Sequence, residues 1–412
     1  MTDGHRNMKS SPRSPLNWIA RIGLASIALI IGYFGVVSSV ANTIKKSDPA
    51  LAYQLAPYNG VLVAAYAQQE FGYEPSAEDG SFAAALARKA LLLDGTAVEA
   101  LNVLAFQAQL AGRGAQSDAI FANSMNLSRR ELRPQLWGIE EAVSMGDIDT
   151  ALRNYDIALR TSKDAKELLF PTLTSALSES RIRTGLLSIL ITEPVWDDDF
   201  FYFAANSGVN PLGVTRLFLE ASKFDLSITD DNRTSLVNSL ASQNKYQEAW
   251  IFFSSFREDA TRRRSRDFGA VLGAQVNSVF DWSVTDQPNI SAAILKDGRN
   301  GLADFFVPPS VGGVILQQTQ VLPPGLYRLE GTSAGIEQPS RSRPYWALSC
   351  LGGNELSRVQ LPNSSENTGT FSGQFSVPQN CPVQILQLIA LPSDKASGLS
   401  GQIQRVRLVS SA

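Results

Sequence analysis

Histidine is almost missing from this chain: His5 is the one example in 412 residues. Acid–base, zinc and triad chemistry near neutral pH leans on imidazole, so those reaction classes are disfavoured at once. Cysteine is equally scarce. Cys350 and Cys381 are the only two, which excludes multi-cysteine zinc and iron–sulfur sites and leaves room for one disulfide at most. A dominant charge is absent too. Basic residues number 36 against 39 acidic ones, a net charge of −3, and no strong field selects nucleic acid or a substrate of one sign. What is plentiful is apolar matter, 44 % of the chain against 18 % charged, in a length that suits two or three globular domains.

Charge disappears altogether between positions 22 and 44. At about 1.5 Å per residue, a helix of that length exceeds the roughly 30 Å hydrocarbon core of a bilayer. Arg6, Lys9, Arg13 and Arg21 precede the segment against Asp3 alone, and Lys45, Lys46 and Asp48 follow it. This basic bias favours a cytoplasmic N-terminus, with everything after residue 45 on the far side. Trp18 sits where an interfacial anchor would. The competing reading is a cleaved signal peptide, for which Ser39-Val40-Ala41 supplies small residues, but its apolar core is longer than the about 7–15 residues typical of such peptides. The expectation is a tail at 1–21, a transmembrane helix at 22–44, and His5 left on the cytoplasmic side.

From Lys45 to about Phe256, Ala and Leu recur at helical spacing with self-similarity near 34 residues. The clearest unit is GDIDTALRNYDIALR, with Gly146, Ala151, Tyr155 and Ala158. Its spacing resembles the second half of a tetratricopeptide repeat, with Ala142 in the preceding helix. The same small position falls at Ala83, Ala119 and Ala151, separated by 36 and 32 residues, and again at Ala249, 98 further on. The match is best from Ala83 to Leu159 and fades between Pro171 and Thr234, where an irregular helical array fits as well. Residues 45–260 are therefore expected to form a tetratricopeptide-like solenoid, whose concave groove suits peptides or partner helices. Asp197-Asp198-Asp199 lacks the alternate acids, glycine and closing glutamate of an EF-hand and reads as a solvated helix start. Arg262-Arg263-Arg264-Ser265-Arg266 reads as part of a solvated linker, 261–276, rather than a phosphate or lipid contact.

After about Val276 the period changes from helical to two. Phe280, Trp282 and Val284 alternate; a run from Val314 to Val321 ends at Pro323-Pro324-Gly325; further strands follow at Trp346–Cys350, Phe371–Val377 and Val383–Ala390. Ile403 falls out of phase with Val406 and Leu408, which predicts a bulge in the last strand. Residues 277–412 are thus expected to form an antiparallel β-sandwich. Cys350 and Cys381 both lie in it, and an exported protein meets an oxidising compartment, so a disulfide is preferred over two buried thiols. The phase puts Trp282, Trp346 and Tyr327 in the core. Tyr345 falls on the other face near Arg341 and Arg343, the one aromatic nominated for ligand contact.

FDW followed by GGVILQQTQVLPPGLYRLEG, with Gln317-Gln318 and the turn from Leu322 to Tyr327, resembles the jelly-roll, carbohydrate-binding-type modules appended to membrane-anchored tetratricopeptide proteins of bacterial cell-envelope polysaccharide systems. That resemblance implies a single-pass inner-membrane protein with a periplasmic bulk. It would meet envelope proteins through the repeat groove and polysaccharide through the sandwich, scaffolding polysaccharide assembly or export. The alternative is a general periplasmic adaptor that binds protein only. Asp281, Asp304 and Glu330 are scattered through strand and turn segments, so no acidic pair is marked for glycosidase work. No catalytic, cofactor or metal residue is assigned, and no nucleic acid is expected.

Overall fold

A computed structural model of the chain describes residues 15–224, 226–285, 287–297 and 300–411. His5 and most of the expected cytoplasmic tail lie outside the described residues. The chain divides into two compact units, Met1–Ala165 and Lys166–Ala412.

In the first unit α1 (Pro15–Ile44) is followed by α2 (Pro49–Leu55), α3 (Gly60–Tyr73), α4 (Phe82–Leu93), α5 (Val98–Leu110), α6 (Gly114–Leu127), α7 (Leu132–Ser144) and α8 (Ile148–Thr161). Within α1, Arg21–Ile44 is long and apolar enough to cross a membrane, with a mean hydropathy of 2.1. Its apolar side chains from Ile22 to Val36 are largely bare, whereas Ala41 is buried against Ala52, Ala56 and Leu62.

The helices α4, α6 and α8 bury one ladder three times over. Its rungs are Ala83, Ala87 and Ala90, then Ser117, Phe121 and Ser124, then Ala151, Tyr155 and Ala158, so that corresponding rungs are 34 residues apart. Ala119, which the sequence spacing singled out, is exposed. Ser117 holds its place because the position requires a small side chain at the helix contact, and serine is small enough, even though its Oγ is buried there without a hydrogen-bond partner among the described residues. The turn before the ladder is copied as well. Gly112 and Gly146 have φ of +72° and +71°, and the next residue's N–H reaches back over the helix end, Arg113 N to Ala108 O and Asp147 N to Ala142 O, both 2.8 Å. Such left-handed turn positions favour a residue without Cβ.

The second unit opens with α9 (Ala165–Ser175), α10 (Ser180–Leu190), α11 (Asp197–Asn206), α12 (Pro211–Ala221), α13 (Asp230–Ser242) and α14 (Tyr246–Phe256). Asp197, Asp198 and Asp199 occupy the first turn of α11, where the helix dipole favours acids, and Asp199 pairs with Lys166. The α13–α14 turn reuses the geometry above. Asn244, at φ 60°, replaces the glycine, and Lys245 N donates to Leu240 O at 3.0 Å. Ala249 and Phe253 are buried beyond it, as the ladder requires.

Among the described residues ten strands follow: β1 (Ser283–Val284), β2 (Ser291–Asp297), β3 (Asn300–Val307), β4 (Gly313–Gln320), β5 (Gly325–Ala334), β6 (Tyr345–Cys350), β7 (Glu355–Gln360), β8 (Gly369–Val377), β9 (Gln384–Ala390) and β10 (Leu399–Ser410). They form two antiparallel five-stranded sheets, ordered β1-β4-β9-β6-β7 and β2-β3-β10-β5-β8. Trp282, Trp346, Leu388, Phe375, Leu329 and Leu408 are among the side chains buried between them. The expected bulge is present between Ile403 and Arg405. A disulfide joins Cys350, at the end of β6, to Cys381, ahead of β9, with Cα atoms 5.5 Å apart.

Residues 261–276 are not the free linker that their arginines suggested. Ser265 exchanges hydrogen bonds with Leu408, and Ser410 N donates to Arg263 O, each at 2.9 Å, so this stretch runs along β10. Arg266 is buried, 3.1 Å from Asp281 and 3.0 Å from Asp259, and its carbonyl accepts from Trp282 Nε1 at 2.6 Å. Two carboxylates within ion-pair reach of the guanidinium make an inward arginine tolerable. Phe268 then enters the sandwich core. On the helical side, Phe280 lies 4.9 Å from Trp250 and 5.4 Å from Phe253, which bolts α14 to the sandwich.

Candidate functional site

Successive residues of a strand point to opposite faces, so the register of the β1-β4-β9-β6-β7 sheet defines its outer surface. Leu316, Leu386, Leu348 and Val359 face the core. Between them, Ser283, Gln317, Gln387, Ala347 and Arg358 are successive partners in one row across all five strands. The row alongside it runs Val314, Ile389, Tyr345 and Gln360. Gln387 Nε2 donates to Gln317 Oε1 at 3.2 Å, fixing two amides side by side at the centre of the face.

Tyr345 is half-buried in this surface, beside Ile389. The arginines that sit near it in sequence are occupied elsewhere: Arg341 pairs with Asp394, and Arg343 Nε donates to Gln338 O at 3.3 Å. The guanidinium that meets its ring is that of Arg358, 4.6 Å from the centroid and held by Glu355 at 2.6 Å. Glu355 pushes the Arg358 pKa further up, so this cation persists at all physiological pH. Sequence reasoning missed Arg358 because its approach to Tyr345 depends on strand register, not on distance along the chain. The aromatic plane is therefore shared with a planar donor. Tyr345, Arg358, Gln360, Gln387 and Gln317 together offer amide, guanidinium and phenol groups over a partly apolar floor.

Trp282, Trp346 and Tyr327 are buried as expected. The three scattered acids stay apart in their partners: Asp281 faces Arg266, Asp304 accepts from Gln402 at 2.8 Å, and Glu330 lies 3.3 Å from Arg328. The outer face of the β2-β3-β10-β5-β8 sheet differs in charge from the first. A hollow of about 330 Å³ there is lined by Arg328, Glu330, Thr370, Ser372 and Arg405. In the first unit, a hollow of about 280 Å³ has Phe71, Phe106 and Trp137 on its walls with Arg133 and Glu140 at its rim. Rings at 6.3, 5.0 and 5.1 Å link Phe71, Phe106, Phe121 and Trp137 in sequence.

Two carboxyls, one in each unit, respond to acid in opposite ways. Hydrogen bonds from Arg113 and Gln107 hold Asp79 down at about 2. A depressed acid contributes stability that is present above its unfolded pKa of 3.8 and lost as pH falls toward 2. Burial pushes Asp281 up, with Arg266 opposing incompletely. Its contribution has the reverse sign: present below 3.8, lost as pH rises through the elevated folded-state value. Between pH 5 and 2, Asp79→Asn is thus expected to flatten the acid-induced loss of stability in the first unit and leave the second unchanged. Hydrogen exchange resolved by peptide checks this, and an unaltered pH slope in residues 60–161 would refute it.

No protein-family model matches the chain, and no curated protein matches it. Solved structures with partial similarity include the enzymatically active domain of tailspike protein 4 from bacteriophage CBA120, 11 % identical over 36 % of this chain and 22 % of that one, TM-score 0.26. A CBM4 structure is 13 % identical over 34 % of this chain and 94 % of that one, TM-score 0.26. TmCBM61 in complex with β-1,4-galactotriose is 17 % identical over 36 % of this chain and all of that one, TM-score 0.25. The chain thus spans about a fifth of the tailspike domain's length.

Proposed function

We propose that this chain is a non-catalytic, single-pass inner-membrane protein whose periplasmic bulk binds an envelope polysaccharide and holds partner proteins, a scaffold in the assembly or export of that polysaccharide. The observation that carries the glycan part is the outer face of the β1-β4-β9-β6-β7 sheet, where Gln317 and Gln387 stand fixed beside the Tyr345–Arg358 pair. Sugars offer closely spaced hydroxyls that both donate and accept, and side-chain amides do the same. Their C–H faces pack on partly apolar floors of this kind.

The 34-residue ladder and its repeated turn support a tetratricopeptide-like reading of the helices, with the Phe71–Phe106–Trp137 hollow as the part of the groove that receives a partner's side chain. An uncleaved anchor is supported by Ala41, since a cut after it would separate α1 from Ala52, Ala56 and Leu62. The excess of Arg and Lys before α1 supports a cytoplasmic N-terminus. A general adaptor with no glycan binding is the second reading, and the guanidinium lying over the Tyr345 ring favours it.

The test is affinity gel electrophoresis of the full chain in detergent micelles through a panel of neutral and acidic polysaccharides. At least one is expected to retard the protein, and Gln387→Ala and Tyr345→Ala are each expected to weaken that retardation about tenfold, the equivalent of about 1.4 kcal/mol. Unretarded migration through the whole panel would leave the protein-only adaptor.

A further inference from the structure

We infer that the glycan path leaves the sheet at Gln317 and continues into a cleft walled by the α13–α14 helix pair, and that this cleft takes an uncharged sugar chain. The inference rests on the glycan reading above and deepens it. A cavity of about 410 Å³ lies between Ser242 and Tyr246 on the helical side and Ser283, Gln317 and Thr319 on the sheet side. Gln317 belongs both to this wall and to the amide row that leads toward Tyr345, so the two surfaces are continuous through one side chain. One strand, β9, lies between Gln317 and Tyr345, so two strand spacings, a lateral span of roughly 10 Å, separate them. Asn238 and Ser242 are shared with a second hollow of about 480 Å³, which carries the path on past Ser235, Ser239 and Asn206.

Among the described residues, none that lines either hollow is charged, in a chain where 18 % of residues are. That absence selects a ligand. A carboxylate or phosphate drawn into the cleft would give up hydration with no cation to replace it, whereas a neutral hydroxyl exchanges water for an amide or hydroxyl partner at little cost. A peptide is disfavoured for another reason. Tight peptide sites are built around buried aromatic or aliphatic anchors, whereas among the described lining residues Tyr246 is the one aromatic and Ala241, Val276 and Val279 the only aliphatic side chains beside Ser, Asn, Thr and Gln. The Tyr246 hydroxyl makes no hydrogen bond among the described residues, which leaves it to a ligand.

The walls are set before any ligand arrives. Asn238 Nδ2 donates to Asn277 O at 2.9 Å while its Oδ1 accepts from Val279 N at 2.8 Å, and Gln247 Nε2 donates to Pro382 O at 3.2 Å. Together with Phe280 between Trp250 and Phe253, these contacts hold the helix pair against the sandwich. A preformed cleft avoids much of the ordering entropy that binding would otherwise cost.

Full-length protein in detergent micelles, run through gels containing galactomannan, laminarin or alginate, tests this. Retardation by a neutral polysaccharide is expected, with Ser242→Arg and Tyr246→Ala each weakening it about tenfold and Tyr246→Phe about threefold. All variants should melt at the parent temperature, since Ser242 is exposed and Tyr246 is half-buried. If Ser242→Arg and Tyr246→Phe bind as the parent does while Tyr345→Ala does not, the cleft is overturned and the sheet-face reading stands. If neither the neutral polysaccharides nor alginate retard the parent, that reading fails as well. Preferential binding of alginate would also overturn the inference and move the ligand to the Arg328–Arg405 face.

Discussion

Replacing Cys350 and Cys381 together by serine is expected to lower the unfolding free energy of Lys166–Ala412 by roughly 3 to 4 kcal/mol. The bridge spans a sequence separation of 31, and in the chain-entropy model a loop of that length stabilises by about this amount. For a unit of this size the melting temperature should fall on the order of 10 °C. The loop it closes contains β7 and β8, so the double variant also frees the strand that carries Arg358 and Glu355. Loss of the Tyr345–Arg358 contact should therefore accompany the loss of stability. Scanning fluorimetry with and without reductant is the direct check: the parent should shift with reductant by as much as the double variant does without it, and the variant should not respond. A parent indifferent to reductant under conditions that fully alkylate both thiols would sink this expectation.

Much of the fold was legible because the signals were local. The change of period near residue 276, the phase slip at Ile403 and the placement of Trp282, Trp346 and Tyr327 each depend on residues two to four positions apart, where alternation dictates facing. The repeat was legible in period but not in register. Searching for recurring alanine lands on exposed Ala119, whereas the packed position holds Ser117. Residues 261–276 were misread for an energetic reason. Four arginines in five positions look solvated, yet Arg266 is buried because Asp281 and Asp259 arrive from later and earlier in the chain to neutralise it. The site was the least legible part. Tyr345 could be assigned a face, but Arg358, Gln387 and Gln317 join it on one surface only through cross-strand register, and the α13–α14 cleft depends on residues distant in sequence, Phe280 packing on Trp250 and Phe253 and Asn238 and Gln247 bonding to the chain at 277, 279 and 382.

That last dependence yields the other large expected effect. Phe280 is 1 % exposed, and its ring meets Trp250 edge-to-face at 4.9 Å and Phe253 at 5.4 Å. Truncation to alanine removes a fully buried ring and leaves a cavity that the surrounding helix and sheet can only partly fill, a cost of about 3 to 5 kcal/mol, of which about 0.5 to 1.5 belongs to the aromatic pairing itself. Where that cost falls is the informative part. The sandwich keeps its own core around Trp282, Trp346 and Leu388, together with the disulfide, whereas the α13–α14 pair loses its main apolar attachment to it. Phe280→Ala should therefore split one cooperative transition of the second unit into two, with the helices melting first. Calorimetry of the full chain reads this, and a single transition shifted as a whole would show that the helices and the sandwich are joined by more than this ring. The same variant predicts a pattern of binding. With the helix pair released, the cleft at Ser242 and Tyr246 opens while the Gln317–Gln387 row on the sheet stays intact. Phe280→Ala should then weaken a neutral polysaccharide as Tyr246→Ala does, and adding Tyr246→Ala to it should weaken binding no further.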